Sequence, residues 1–330
     1  MEETRPQGRT QARHGPRNIL IAVDASEYSL ESVRYVGRLL PAETTTITLL
    51  HVLDPNPECF SDLELMSSME PDDFGTHAWA AQQKKIMQQF MERAESLLVS
   101  LGYPENGVSI SIREREAGIA RDIAAEAHKG YDALVVGRKG MSAVRDLIMG
   151  STAHKLVSSL DRVAVWVVGG SPEPGGILVA MDSSEGARRA LQYVGRIFGR
   201  AHPDLLLLHV ARGLDLRQPG FEDISPEDDW LRKTKDELKK AEDAMGAVFE
   251  DSIDHLRRQG ADASRIKTRI LPGVYSRAAA IFGEAMEEGC GTIVVGRRGL
   301  SRVEEFVMGR VSSKVLQLAR EMAVWVVPEA

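Results

Sequence analysis

The chain is poor in cysteine and in aromatic residues, and it has no long apolar run. Its two cysteines, Cys59 and Cys290, stand far apart in unrelated contexts. There is no CxxC pair and no His/Cys cluster at zinc spacing, so free thiols in a reducing, cytoplasmic setting are expected rather than a metal or disulfide framework. Aromatics make up 5% of the residues and the net charge is −7. A nucleic-acid surface needs a basic patch, often with stacking rings, so nucleic acid is not an expected partner. No stretch of about 18 apolar residues exists, which argues against a membrane helix. Residues 1–17 lack the apolar core of a secretory signal. They carry four arginines without hydrophobic periodicity and read as a disordered tail, with a basic docking arm as the alternative. Several familiar motifs are missing too. The first strand is not followed by GxGxxG, and neither a P-loop, a GxSxG elbow, HExxH nor an EF-hand loop occurs.

What is present comes twice. "ILIAVDASEYSLESVRYVGRLL" (19–40) returns as "ILVAMDSSEGARRALQYVGRIF" (177–198), with Asp24 and Asp182 158 residues apart. "LLHV" at 49–52 recurs at 207–210, and "VAVWVV" (163–168) recurs as "MAVWVV" (322–327). A near-constant offset over some 150 residues describes two copies of one domain. A chain of 330 residues also exceeds the usual reach of one core. The expected organisation is a tail over 1–17, a domain over 18–168, a Gly/Pro-rich linker over 169–176 and a second domain over 177–328.

Within each copy, apolar runs predict strands at 19–23, 47–53, 108–113, 132–137 and 163–168, then at 177–181, 205–210, 266–271, 292–296 and 323–327. Runs such as "LLLLHV" are apolar throughout rather than alternating, as suits strands covered on both faces of a parallel sheet. Helices are predicted at 27–40, at 119–129 ending on Gly130, and near 226–259, the last opening on Ser225, Pro226 and Asp228 as a capping box. Alternation of the two element types gives a doubly wound α/β domain. Segment 54–77 is long for a loop. It reads as a solvated connection, a lid or a partner surface, and its counterpart 211–225 is shorter.

In such sheets, ligands sit beyond the carboxyl ends of the strands. Asp24 and Asp182 end the first strand of each copy, the "HV" pairs end the second, and Gly137 and Gly296 end the fourth. Gly137, Gly140 and Gly150 are spaced Gly-x2-Gly-x9-Gly and precede Ser151; Gly296, Gly299 and Gly309 keep the spacing but precede Arg310. Glycine lets main chain approach a ligand closely, and a helix start after the last glycine offers amides to an anion. Arg138 and Lys139, or Arg297 and Arg298, are candidate countercharges. The alternative is that these glycines only shape tight loops.

The "AVD-S" turn, the spaced glycine loop and the closing "VWVV" strand resemble the universal stress protein family in its tandem form, over about Asn18 to Val327. The resemblance implies a five-stranded parallel sheet of order 3-2-1-4-5 in each domain, with the domains pairing through their last strands. It implies ATP or another adenine nucleotide as ligand, with Mg carried near Asp24. The implied site in the first copy comprises Ala22, Val23, Asp24, Val52, Gly118, Val136, Gly137, Arg138, Gly140, Met141, Gly150, Ser151 and Thr152. In the second it comprises Ala180, Met181, Asp182, Val210, Gly273, Gly296, Arg297, Gly299, Gly309, Arg310, Val311 and Ser312. Arg310 departs from the pattern. It either pairs with phosphates or leaves an altered site, and Ser312 is the candidate to replace the lost hydroxyl. Three functions stay open: a nucleotide-holding stress or signalling module with a protein partner, a slow ATP hydrolase or phosphate-transfer enzyme, and a ligand-free pairing module. Two chains assembling into a dimer is a further expectation.

Overall fold

Runs of Val, Ile and Leu that must be covered on both faces become the inner strands of one sheet. The structure is a computed structural model. It describes residues 17–54, 76–140, 149–173, 175–199, 202–212, 229–299 and 308–329. The first half contains β1 (Arg17–Ala22), β2 (Thr45–Leu53), β3 (Val108–Glu114), β4 (Ala133–Gly137) and β5 (Ala164–Val168). The second contains β6 (Gly176–Met181), β7 (Leu205–Arg212), β8 (Ile266–Val274), β9 (Cys290–Gly296) and β10 (Ala323–Val327). The ten strands form a single sheet in the order β3-β2-β1-β4-β5-β10-β9-β6-β7-β8. Each half therefore has the order 3-2-1-4-5, with parallel neighbours throughout. Only the seam, β5 with β10, is antiparallel.

Helices cover both faces. The first half supplies α1 (Glu27–Leu39), α2 (Thr76–Ser100), α3 (Ile119–Ala127) and α4 (Ser151–Ser159). The second supplies α5 (Glu185–Phe198), α6 (Asp229–Arg258), α7 (Arg277–Glu287) and α8 (Arg310–Leu318). Ser26 caps α1 by accepting from Ser29 N, and Ser184 caps α5 by accepting from Ala187 N; each satisfies an amide that the first turn leaves without a helical partner. Leu30, Val33 and Val36 recur at helical spacing and are buried, which puts one stripe of α1 on the sheet. One apolar cluster joins α1, α2, α5 and α6 to one face of the sheet, and a second joins α3, α4, α7 and α8 to the other. Both clusters run through the two halves without a break.

The seam is built around a pseudo-twofold. Trp166 and Trp325 face each other across β5 and β10. Their rings stack at 3.8 Å, 3° from parallel. Each indole N–H then crosses to the other half. Trp166 Nε1 donates to Tyr193 OH at 2.9 Å, and Trp325 Nε1 to Tyr35 OH at 3.0 Å. Tyr193 OH donates onward to Asp132 O, and Tyr35 OH shares a hydrogen bond with Thr292 Oγ1. Burial raises both phenols well above the ordinary tyrosine range, so they remain neutral. A polar group buried this deeply is costly unless bonded, and every one of these four rings is bonded across the seam.

Most strand and helix expectations are met to within two or three residues, but some details differ. β1 ends at Ala22, two residues before Asp24, because the chain turns through Ala25 at φ 64°. β8 runs on to Val274, paired with Arg212, which places Gly273 inside a strand. Within the expected linker, Gly169 is closely packed. A Cβ on Gly169 would lie 2.0 Å from Arg320 O. The capping residues Ser225, Pro226 and Asp228 lie outside the described residues, as do Cys59 and most of segment 54–77. Cys290 is a buried free thiol, and burial pushes it up to about 11.

Candidate functional site

The carboxyl ends of β1, β2 and β4 meet at one edge of the first half, and those of β6, β7 and β9 at the equivalent edge of the second. At the first, Asp24 sits just beyond β1. Its Oδ1 accepts from Ser26 N (3.1 Å), Ser26 Oγ (2.6 Å) and Ser29 Oγ (2.7 Å). That carboxylate oxygen therefore organises the start of α1. The other oxygen, Oδ2, faces the glycine loop, where a Cβ on Gly140 would lie 2.2 Å from it. Any side chain at Gly140 would thus force the Asp24 carboxylate to shift. In the second half Asp182 Oδ1 accepts from Ser184 N at 2.9 Å, and a Cβ on Gly299 would stand 3.1 Å from Oδ2. The same arrangement is present, slightly looser.

Gly150 differs in kind. Its φ of −66° and ψ of 152° are open to any residue, and a Cβ there would meet Arg138 O at an ordinary 3.5 Å. Among the described residues, nothing demands glycine at this position. α4 begins directly after it with no side-chain cap, unlike α1 and α5. Ser151 is exposed on the first turn and Thr152 half-buried. α8 starts in the same way after Gly309, again without a side-chain cap. Among the described residues, both helix starts thus present first-turn amides with no N-cap side chain bonded to them, an arrangement suited to an anion.

The apolar members line the base of the edge. Val23, Val52 and Val136 are buried in the first half, and Met181 and Val210 in the second; Ala22 and Ala180 are half-buried. Gly118 caps α3 at φ 139°, a backbone that favours glycine. Gly273 is not its counterpart. At the repeat offset that position is Ser276, which caps α7. Met141 lies outside the described residues.

Three expectations need correction. Arg138 and Arg297 are not placed as countercharges for a ligand, because the Nη groups of both donate to main chain of the opposite half. Arg138 is 1% exposed; its Nη1 donates to Leu316 O at 2.6 Å and its Nη2 to Ala319 O at 2.8 Å, at the end of α8. Reciprocally, Arg297 donates to Leu160 O and Ser158 O at the end of α4. Carbonyls at a helix end lack helical partners and attract cations, so each arginine closes the helix whose start belongs to the other site. Burial still costs the Arg138 guanidinium, holding it down to about 10. Ser312 does not replace the missing hydroxyl, since it is buried and donates to Gly296 O at 2.7 Å. Arg310 is exposed and lines a hollow beside the start of α7.

Sequence reasoning also passed over two histidines. His51 Nδ1 bonds Val23 O and His209 Nδ1 bonds Met181 O, each at 2.8 Å. A carbonyl only accepts, so Nδ1 carries the proton when the ring is neutral. Burial lowers the His51 pKa, against opposing effects of the Val23 carbonyl and Asp24. The signal was available: both histidines precede the valines at the same repeat offset. Among the described residues, no three His, Cys, Asp or Glu side chains converge as a metal site.

A sequence model of the universal stress protein family matches residues 15–169 and again 175–328. A universal stress protein of Mycolicibacterium smegmatis is 24% identical over 196 residues, spanning 58% of this chain and 63% of that relative, so the match leaves over a third of the relative's length uncovered. Universal stress protein YxiE of Bacillus subtilis is 30% identical over 145 residues, covering 43% of this chain and 92% of its own. The crystal structure of a universal stress protein from Archaeoglobus fulgidus superposes with a TM-score of 0.58 at 17% identity, covering 95% of this chain and 98% of that one. This last is a likeness of fold. No helix among the described residues is long and apolar enough to cross a membrane.

Proposed function

The chain belongs to the universal stress protein family, matched once in each half, and from that premise we propose that it holds an adenine nucleotide, ATP, in its first half and serves as a stress or signalling module. Residues 18–168 and 177–328 act as two binding units. In the first, Val23 and Val52 border the base, and the Oδ2 side of Asp24 faces the ribose or a cation. The amides at Gly140 and at the start of α4, with the Ser151 hydroxyl, take the phosphates.

One observation carries this reading. Gly150 is a glycine that neither its backbone angle nor its packing against the described residues requires, set directly before a helix start without a side-chain cap. An incoming phosphate explains both. Several hydrogen bonds to a charged group, each about 1.5–3 kcal/mol, outweigh the chain's net negative charge, whose reach is screened within about 8 Å. A Mg ion fits the donors to a limited degree. Such an ion takes one or two carboxylates and otherwise water or phosphate oxygens, and Asp24 is the carboxylate at this edge, with its Oδ1 holding the start of α1. The ion would screen the phosphates; the protein's own part is to hold and orient them.

The test is titration calorimetry with Mg-ATP on the full chain and on Gly150→Val. The variant keeps an allowed backbone, so its circular dichroism is expected to match the parent while first-site binding falls at least tenfold. Equal binding by both proteins rejects the site. Turnover of radiolabelled ATP in the same samples separates holding the nucleotide from hydrolysing it.

A further inference from the structure

The ten-stranded sheet ends on β3 at one side and on β8 at the other. These two strands are repeat copies, so each is a control for the other. Ser109, Ile110, Ser111 and Glu114 of β3 stand where β8 has Lys267, Thr268, Arg269 and Pro272. An outer strand leaves main-chain donors and acceptors unpaired on one side, and charged residues, lysine above all, or proline there keep another chain from adding to it. β8 carries both kinds of guard. Lys267 pairs with Glu288, and Arg269 with Glu284 and Glu288, at the end of α7, which holds both cations at that edge. Pro272 has no N–H to donate. From Val108 to Ile112, β3 has neither a charged residue nor a proline.

Side chains alternate along a strand, so Val108, Ile110 and Ile112 share one face. Val108 belongs to the buried core and Ile112 packs against it. Ile110, between them, is 41% exposed. The apolar row of the core thus runs out to the edge of the sheet at Ile110. On the other face Ser109 is exposed and Ser111 half-buried. Among the described residues, β2 is the only strand paired with β3.

We infer that β3 is a self-pairing edge, through which two copies of this chain join antiparallel about a twofold axis beside Ile110, making one continuous sheet. That register sets Ile110 against its own copy and Val108 against Ile112 of the second copy, so the apolar row continues across the axis. It sets Ser109 against Ser111 of the second copy, a pair able to hydrogen-bond. It also carries Glu105, exposed in the turn before β3, towards Arg115 of the second copy, exposed just past the end of its strand; the axis repeats this opposite-charge contact. The same register applied to β8 would set Lys267 against Arg269 of a copy, a like-charge pair that is destabilising. One permissive edge and one guarded edge give a closed dimer, whereas β3 adding to β8 would propagate into a filament. A single pair of strands is a small interface, so association in the micromolar range is expected. The inference does not depend on nucleotide at either half.

Sedimentation equilibrium of the full chain without nucleotide, over a range of concentrations, is expected to show a monomer–dimer equilibrium. The double variant S109K/S111R gives β3 the residues that β8 already carries, and is expected to fold, as monitored by circular dichroism. It should weaken the dimer about tenfold or more, because the axis repeats each opposed cation pair. Ile110→Cys gives a direct reading of the register. Opposed residues of an antiparallel pair have Cα atoms about 4.5–5.5 Å apart, within disulfide reach, so mild oxidation is expected to yield a covalent dimer. Thr268→Cys on β8 and the parent chain, oxidised alongside, are expected to stay uncrosslinked. A chain that is monomeric at every concentration, as when another part of the same chain covers β3, overturns the inference. So does a dimer unchanged in S109K/S111R, or crosslinking of Ile110→Cys no greater than that of Thr268→Cys.

Discussion

Arg138 offers a perturbation whose outcome discriminates between two roles for the residue beside the first glycine. Its guanidinium donates to Leu316 O and Ala319 O at 2.6 and 2.8 Å. Arg138→Met keeps the stem volume and removes the charge with both donors. Two buried carbonyls at the end of α8 are then left unpaired, at about 1–3 kcal/mol each. Against this, folding no longer buries a cation. The guanidinium is held down to about 10, two to three pH units below an unperturbed arginine, which corresponds to roughly 3 kcal/mol. The two effects oppose each other, and with orphaned carbonyls in the upper part of their range we expect a net loss of about 2 kcal/mol. Urea unfolding followed by circular dichroism and tryptophan fluorescence measures it, because Trp166 and Trp325 lie at the same seam. Nucleotide affinity of the folded variant is expected to stay within about twofold of the parent, since the guanidinium donates to the end of α8 in the opposite half. A variant whose stability moves by less than about 0.5 kcal/mol, while its nucleotide affinity falls tenfold, would refute the interface assignment and restore the countercharge.

Three further outcomes follow from the geometry. Trp166→Ala removes half of the 3.8 Å stack and the bond to Tyr193; it is expected to cost about 3–5 kcal/mol in urea unfolding, and a cost below about 1 kcal/mol would mean that the seam repacks around the gap. Gly140→Ala places a Cβ 2.2 Å from Asp24 Oδ2, so the carboxylate must move. A lowered melting temperature together with weakened nucleotide binding is expected, and no change in either would show that the loop yields freely. His51 has a pKa depressed by burial, so below about pH 6.5 the unfolded chain takes up its proton first. This contribution to stability is complete above that pH and is lost as the pH falls below it. Stability should therefore drop less steeply between pH 7 and pH 5 in His51→Gln than in the parent, and parallel profiles would remove His51 from the acid response.

The repeat made much of the architecture legible. Residues covered on both faces cannot alternate with polar ones, so runs such as "LLLLHV" announced inner strands, and the fixed offset announced two copies. The glycine loop and Asp24 were legible for the same reason: the parallel order carries the ends of β1 and β4 to one edge. Arg138 was misread because the sequence shows only its chain neighbours, Gly137 and Lys139, while its bonding partners lie some 180 residues away across the seam. Gly273 was misassigned because a glycine looked like a turn, whereas pairing with β7 carries β8 past it. Ser312 looked available by register, but a buried hydroxyl takes the nearest carbonyl.

What the sequence determined by itself was therefore local and periodic: which segments are strands, several of the helices, that the unit occurs twice, and where main chain can approach a ligand without a Cβ. What only the tertiary structure decided was where long cationic side chains go. Arg138 and Arg297 close each other's helices, while Arg277 and Arg310 gather at one hollow. Hydrophobic burial follows from the order of residues along a strand or helix, but a guanidinium reaches several ångströms beyond its own backbone, and its partner is set by whatever the folded chain brings within that reach.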